Sequence, residues 1–256
     1  MRATLTVLGS GTSMGVPTIG CQCAVCNSAD PHDQRTRPSI MVEYQGHAVL
    51  IDTTPDFREQ AIRQRIRHLD AVVYTHGHAD HILGLDDLRP LTFWRDQNIP
   101  LYATPETAEI IRRMFRYIFD GDYKYGGLAQ VELKEFEGPL ELFGATFLPI
   151  KVLHGDAVIY GYRFGAAAYL TDHSDVPPES IAQLQGLDIL FLDALRKRPH
   201  PTHSTLENSV KLVEQIKPRR AFFTHISHDL GHAETNAGLP PHIRLSYDGL
   251  KLEFEI

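Results

Sequence analysis

The run Thr75-His76-Gly77-His78-Ala79-Asp80-His81 constrains this chain more than any other stretch. Three imidazoles and a carboxylate follow directly behind the apolar residues Ala71-Val72-Val73-Tyr74. The apolar run predicts a strand, and Ala79 with Ile82, Leu83 and Leu85 predicts the start of a helix. His76 and His78 are two apart, so at a strand end they point to one side. Asp80 and His81 come after the chain has turned and approach from another direction. Neutral imidazole and carboxylate suit Zn²⁺, Mn²⁺ or Fe²⁺. One short loop can therefore offer a pair of ligands to each of two neighbouring metals. The competing reading, a His-rich surface loop, is disfavoured by the dense spacing and the structured flanks.

Length and composition bound the rest. At 256 residues the chain is long enough for a sizeable core, and we read residues 1–256 as a single domain. A net charge of −7 argues against broad binding to nucleic acid or anionic membrane. No apolar run approaches the length of a membrane span, and Met1-Arg2-Ala3 enters a strand pattern with no signal-peptide core. The cytoplasm is the expected compartment. The three cysteines all lie in Cys21-Gln22-Cys23-Ala24-Val25-Cys26. An odd, clustered count points to metal or redox chemistry rather than a disulfide framework.

Along the chain, Ala3–Leu8 alternates as a strand, and the loop Gly9-Ser10-Gly11-Thr12-Ser13-Met14-Gly15 follows. Its third glycine comes one residue late for a dinucleotide fingerprint, and no amphipathic helix opens behind it. It reads as a turn lining some other site. Ser39–Tyr44 and His47–Ile51 form a hairpin around Gln45-Gly46. Phe57, Ala61, Ile62, Ile66 and Leu69 fall at helical spacing, with Arg58, Arg63, Arg65 and Arg67 on the solvated face. Thr104-Pro105 starts a helix. The aromatic and glycine-rich 115–127 segment, with Tyr117, Phe119, Tyr123 and Tyr125, is either a core-covering loop or a lid. The pattern from Ala129 to Leu170 is β-rich. Ser204-Thr205-Leu206-Glu207 reads as a capping box, and Asp248-Gly249 as the turn of a final hairpin. His154, Asp172, Asp193 and His225 each end a strand. The element order predicts two sheets packed together, helices outside, and a site at one shared edge.

His76-x-His78-x-Asp80-His81 with His154, Asp172 and His225 resembles the metallo-β-lactamase superfamily over almost the whole chain. Gly9-x-Gly11 with Gly15-Val16-Pro17, Cys21-x-Cys23-x-x-Cys26 and Thr224-His225-Ile226-Ser227-His228 are similar to its PhnP-like phosphodiesterase branch, the phosphoribosyl 1,2-cyclic phosphate phosphodiesterases. The resemblance implies an α/β fold, the αββα sandwich of two mixed β-sheets flanked by helices. It implies two active-site divalent metal ions, zinc or manganese: His76, His78 and His154 on one, Asp80, His81 and His225 on the other, and Asp172 bridging. It also implies that His203 reaches the substrate phosphate. The expected reaction is hydrolysis of a small, cyclic or open phosphodiester by a metal-bridging hydroxide attacking phosphorus. His203 would serve as acid or phosphate donor, and Asp80 would orient the nucleophile.

Cys21, Cys23 and Cys26, with His228 as a fourth ligand, would make a closed structural zinc site; the alternative is three free buried thiols. Asp52 reads either as a carboxylate fixing a ligand histidine or as a turn cap. His173 stands where related enzymes commonly carry a small hydroxyl residue. It either adds a donor behind the ligands or faces away. Arg35 and Arg37 either bind a second phosphate or brace the loop. His32, His47, His68, His200, His232 and His242 match no motif and read as surface or packing histidines. Three alternatives stand beside the phosphodiesterase. An RNase Z-like tRNA 3′-processing endonuclease is disfavoured by the acidic charge and the lack of a long basic arm. A thioester or lactone hydrolase of the same fold is disfavoured by His203. A non-enzymatic metal-binding interaction protein is disfavoured by the full ligand set. The expected partner is a small phosphodiester, with no membrane and no nucleic acid; homodimerisation is left open.

Overall fold

Period-two alternation of apolar residues builds both sheets, and the edge at which their strands end positions the site. The computed structural model describes residues 1–93, 96–121 and 126–256. The first half holds β1 (Arg2–Gly9), β2 (Ser39–Tyr44), β3 (His47–Ile51), α1 (Phe57–Gln64), β4 (Ala71–Val73), α2 (Ala79–Ile82), α3 (Arg89–Thr92), β5 (Ile99–Ala103), α4 (Pro105–Met114), α5 (Arg116–Phe119) and β6 (Val131–Glu135). The second half holds β7 (Leu140–Leu142), β8 (Ala145–His154), β9 (Ala157–Phe164), β10 (Ala167–Leu170), α6 (Pro178–Gln183), β11 (Ile189–Asp193), α7 (Leu206–Ile216), β12 (Arg220–Thr224), α8 (His232–Gly238), β13 (Ile243–Leu245) and β14 (Lys251–Glu255).

Two seven-stranded mixed sheets result, in the orders β14-β1-β2-β3-β4-β5-β6 and β13-β12-β11-β10-β9-β8-β7. In the first, β1 to β3 and β14 pair antiparallel and β3 to β6 parallel. The second repeats this, with β7 to β10 antiparallel and β10 to β13 parallel. Fully buried Phe147, Tyr162, Phe164 and Phe191 of one sheet meet Leu5, Val7, Val42 and Val49 of the other. Truncating one such ring to Ala costs about 3–5 kcal/mol. The Tyr162 hydroxyl donates across the layers to the Tyr74 carbonyl at 2.6 Å. The opposite faces pack under helices: Leu50, Val72 and Tyr74 with Phe57 and Ile82, and Leu190, Leu192 and Phe223 with Val213 and Ile216. This is the expected αββα sandwich.

Four local readings are corrected. Asp248-Gly249 does not turn a hairpin: β13 lies in one sheet and β14 in the other. The Asp248 carboxylate accepts instead from the N–H and hydroxyl of both Ser10 and Thr36 and from Arg63, which pins the crossing between layers. The cap of α7 is Thr205, whose hydroxyl accepts from Asn208 N. Ser204 is buried and its hydroxyl accepts from Ser209 Oγ. Ile62 is 61% exposed rather than in the core, because α1 ends at Gln64 and only part of its apolar stripe meets the sheet. Arg63, placed on the solvated face by its spacing, reaches back to Asp248 at 3.0 Å. Tyr123 and Tyr125 of the aromatic segment lie outside the described residues. Tyr117 is 45% exposed and Phe115 buried. No helix among the described residues is long and apolar enough to cross a membrane.

The glycine-rich loop has a steric origin. A Cβ on Gly9 would lie 1.9 Å from the Arg37 carbonyl oxygen, and one on Gly11 2.7 Å from that of Arg35. These glycines let the loop press against residues 35–37; they do not open a phosphate cradle.

Candidate active site

Parallel strands in register end together. Ile51 pairs with Val73, and Leu170 with Leu192 and Leu192 with Phe223. Asp52, Thr75, Asp172, Asp193 and His225 therefore gather at one edge, where ligands bind in open α/β sheets. Asp52, Asp172 and His225 leave their strands with φ of 66°, 58° and 56°. This left-handed backbone costs non-glycine residues about 1–3 kcal/mol each and recurs at functional sites. It turns each side chain from the strand axis into the cleft.

Seven side chains form two donor groups. His76, His78 and His154 make one; Asp80, His81, Asp172 and His225 make the other, with donor atoms in each group within 4.8 Å of one another. His76 Nε2 lies 3.0 Å from His78 Nδ1. In the second group His81 Nε2 is 3.2 Å from Asp172 Oδ1, and His225 Nε2 is 3.1 Å from Asp172 Oδ2. Asp80 Oδ2 faces the same two nitrogens at 3.4 and 3.6 Å. Asp172 also groups with His154 and His203, so its carboxylate lies between the two sets.

Tautomers are set from behind. The Thr75 hydroxyl donates to Asp52 Oδ2 at 2.7 Å and so accepts from His76 Nδ1 at 3.0 Å. His81 Nδ1 lies 2.7 Å from the same carboxylate oxygen, and His154 Nδ1 donates to the Thr202 carbonyl at 2.8 Å. Each of these three rings turns Nε2 away from its backing partner, as metal-ligating histidines do. Of the two readings of Asp52, the structure bears out the carboxylate that fixes a histidine. Sequence reasoning placed Asp193 at a strand end but gave it no role; it is fully buried with Oδ2 2.6 Å from His203 Nδ1 and 3.8 Å from His225 Nδ1. Its position behind the run Ile189–Leu192, matching Asp52 behind β3, was the available signal.

The electrostatics suit a cation. Burial penalises charge throughout, yet Asp172, Asp80 and Asp52 hold His81 well above the ordinary histidine value. Despite its burial, His225 is pushed up to about 9 by Asp172, Asp80 and Asp193. Burial, reinforced by His81, instead holds His76 well below the usual value. Asp80 Oδ2, His81 Nε2 and His225 Nε2 are buried with no hydrogen-bond partner among the described residues, although they face one another. Unpaired buried groups of this kind are costly. A divalent cation among them would satisfy all three, and the donor set fits one.

A separate group stands at the far side of the last loop. The sulfurs of Cys21, Cys23 and Cys26 lie 3.1, 3.7 and 3.4 Å from His228 Nδ1. The cysteines form no disulfide. The Cys26 N–H donates to Cys23 Sγ, and this bond holds Cys23 below the usual thiol value. Three sulfurs and one imidazole make a closed tetrahedral set with no position for substrate. Arg35 braces this loop: its buried guanidinium donates to the carbonyls of Ser227 and Leu230 and pairs with Asp33 at 2.7 Å. Arg37 pairs with Asp56 and donates to the Ser13 carbonyl. Neither arginine joins the donor groups. His173 is fully buried, and neither of its ring nitrogens has a hydrogen-bond partner among the described residues.

Comparison with known proteins agrees with this geometry. The family described as Beta-lactamase superfamily domain matches residues 47–226. A crystal structure of a new diphosphatase from the PhnP family is 62% identical and superimposes with a TM-score of 0.94, covering 99% of this chain and 98% of that one. The octanoyltransferase of Porphyromonas gingivalis (strain ATCC BAA-308 / W83) is 40% identical over 250 residues, which are 96% of this chain and 50% of that protein. The chain spans half or less of the length of the curated relatives it matches. Zinc-bound PqqB from Methylobacterium extorquens, 22% identical, shares the fold with a TM-score of 0.77 over 97% of this chain and 99% of that one. The match over residues 47–226 puts the chain in the metallo-β-lactamase superfamily, and its two donor groups could each hold a metal ion. Within it, the chain belongs to the PhnP family.

Proposed function

We propose that this protein is a dinuclear phosphohydrolase that cleaves a P–O bond in a small phosphodiester or diphosphate. The observation that carries the reading is the pair of donor groups with Asp172 between them, with unpartnered buried atoms facing inward and His203 beside them. His76, His78 and His154 would hold one divalent ion and Asp80, His81 and His225 the other, with Asp172 common to both. When bound, two such ions offset charge on phosphoryl oxygens and make water acidic enough to ionise near neutral pH. A water oxygen bonds to phosphorus, the P–O bond to the leaving group breaks, and the leaving oxygen takes a proton.

We read His203 as the group that supplies that proton. Its ring centroid lies 4.8 Å from that of His154 and 4.5 Å from that of His225. Burial and the nearby His225 push it down to about 4, so the free enzyme carries a neutral ring. An anionic phosphoryl group beside it, with Asp193 behind, favours the protonated form that donates from Nε2. The related diphosphatase of the PhnP family supports phosphorus as the reacting atom. The Cys21, Cys23, Cys26 and His228 set would hold one structural zinc. The test is a panel of metal-loaded assays on bis(p-nitrophenyl) phosphate, a dinucleoside diphosphate, a thioester and a tRNA precursor. We expect turnover of the first two; preference for the thioester or the tRNA overturns the reading.

A further inference from the structure

The loop 196–203 carries a donor that no motif explains. His200 matched no ligand pattern, yet its ring sits half-buried with its centroid 5.0 Å from that of His203. His225, His203 and His200 thus stand in a row, at successive centroid separations of 4.5 and 5.0 Å. The Thr202 backbone N–H donates to His200 Nδ1 at 3.3 Å, with Thr202 Oγ1 at 3.2 Å. A nitrogen that accepts a backbone N–H carries no proton in the neutral ring, so the proton sits on Nε2. His203 is the reverse, with its Nδ1 at Asp193. Neutral His200 is therefore a ready donor one ring outward from His203. Thr202 also fixes His154 through its carbonyl, so one residue sets both rings.

Arg196 completes the feature. Its Nε donates to the Arg198 carbonyl at 3.2 Å and its Nη2 to the Pro199 carbonyl at 2.9 Å. These bonds hold the guanidinium along the loop, against the peptide that joins Pro199 to His200. Nη1 has no protein partner among the described residues. A fixed cation beside a neutral N–H donor matches oxygens of a phosphoryl group and has little to offer an apolar leaving group.

We propose that His200 and Arg196 form a subsite for a second phosphoryl group, which makes diphosphates the preferred substrate class. This rests on the phosphohydrolase reading above. The attacked phosphorus lies by His154 and His203, and the outer phosphoryl group takes a hydrogen bond from His200 Nε2 and the charge of Arg196.

Calorimetric binding to the metal-loaded protein tests this without turnover, using AMP and α,β-methylene-ADP, a non-hydrolysable diphosphate. The wild type should bind the diphosphate at least about tenfold more tightly. His200→Ala and Arg196→Ala should each remove most of that preference, and His200→Gln, which keeps an N–H donor, should restore part of it. Metal content and circular dichroism confirm that each variant is folded; Arg196 is only partly buried and its variant stands in if His200→Ala misfolds. Equal affinity of the wild type for the two probes overturns the subsite, as does equal weakening of both probes in the variants. Failure of the phosphohydrolase reading is a separate result, seen as absent phosphorus turnover in the substrate panel.

Discussion

Asp193 lies between His203 Nδ1 and His225 Nδ1. Asp193→Asn can still accept one hydrogen bond but no longer stabilises a charged His203. We expect kcat on bis(p-nitrophenyl) phosphate to fall about 10–100-fold with KM nearly unchanged, and metal content to remain at the wild-type value. Loss of metal from the variant would assign Asp193 to His225 instead. A second residue-scale prediction concerns pH. Burial, then the neighbouring His32 and Arg35, pushes His232 down to about 4 from 6.5. The folded state therefore binds that proton less readily than the unfolded chain. Its stabilisation is complete above about pH 6.5 and is lost as pH falls toward 4. Allowing for partial exposure, wild type should lose about 1–2 kcal/mol more than His232→Gln between pH 7 and 4.5 in urea melts. Parallel losses would contradict this. The contiguous motif His76–His81 was legible because its donors share one turn. Asp193 and Thr202 were not, because what they do depends on rings brought to them by other strands.

Elements were legible where their signal is local. The Ser39–Ile51 hairpin and the Thr104 cap follow from turn and cap chemistry. Asp248-Gly249 misled because the same dipeptide that favours a turn here supplies a carboxylate to residues more than 180 positions away. Asp248→Ala leaves the Ser10 and Thr36 groups and the Arg63 cation without their shared acceptor. It should cost about 3 kcal/mol in chemical denaturation; a loss under about 1 kcal/mol would show that solvent replaces the carboxylate. The Cys21–Cys26 loop and the 227–230 loop form the other coupled pair, joined by His228 and Arg35. Cys23→Ser should remove one metal per chain and also lower occupancy of the His/Asp groups, since His225 sits three residues from His228. Elemental analysis decides it. Retention of all wild-type metal would contradict the linkage.

On the scale of the molecule, the site exists only when both sheets are packed. The first half contributes His76, His78, Asp80 and His81, and the second His154, Asp172 and His225. Ions that bind this arrangement and not the unfolded chain stabilise the fold by mass action. Stripping them should therefore lower Tm by roughly 6–12 °C, equivalent to about 3 kcal/mol. The two-layer architecture was readable from strand-end donors recurring in both halves. The mirrored strand orders, and the row His225–His203–His200, were not, because strand register fixes them and no single stretch of chain encodes it. The measurement closest to the central claim is hydrolysis of bis(p-nitrophenyl) phosphate by the metal-loaded protein, by the chelator-treated protein, and after zinc or manganese is returned. The account predicts release of p-nitrophenolate that chelation abolishes and metal restores. Undiminished release after exhaustive chelation would contradict it.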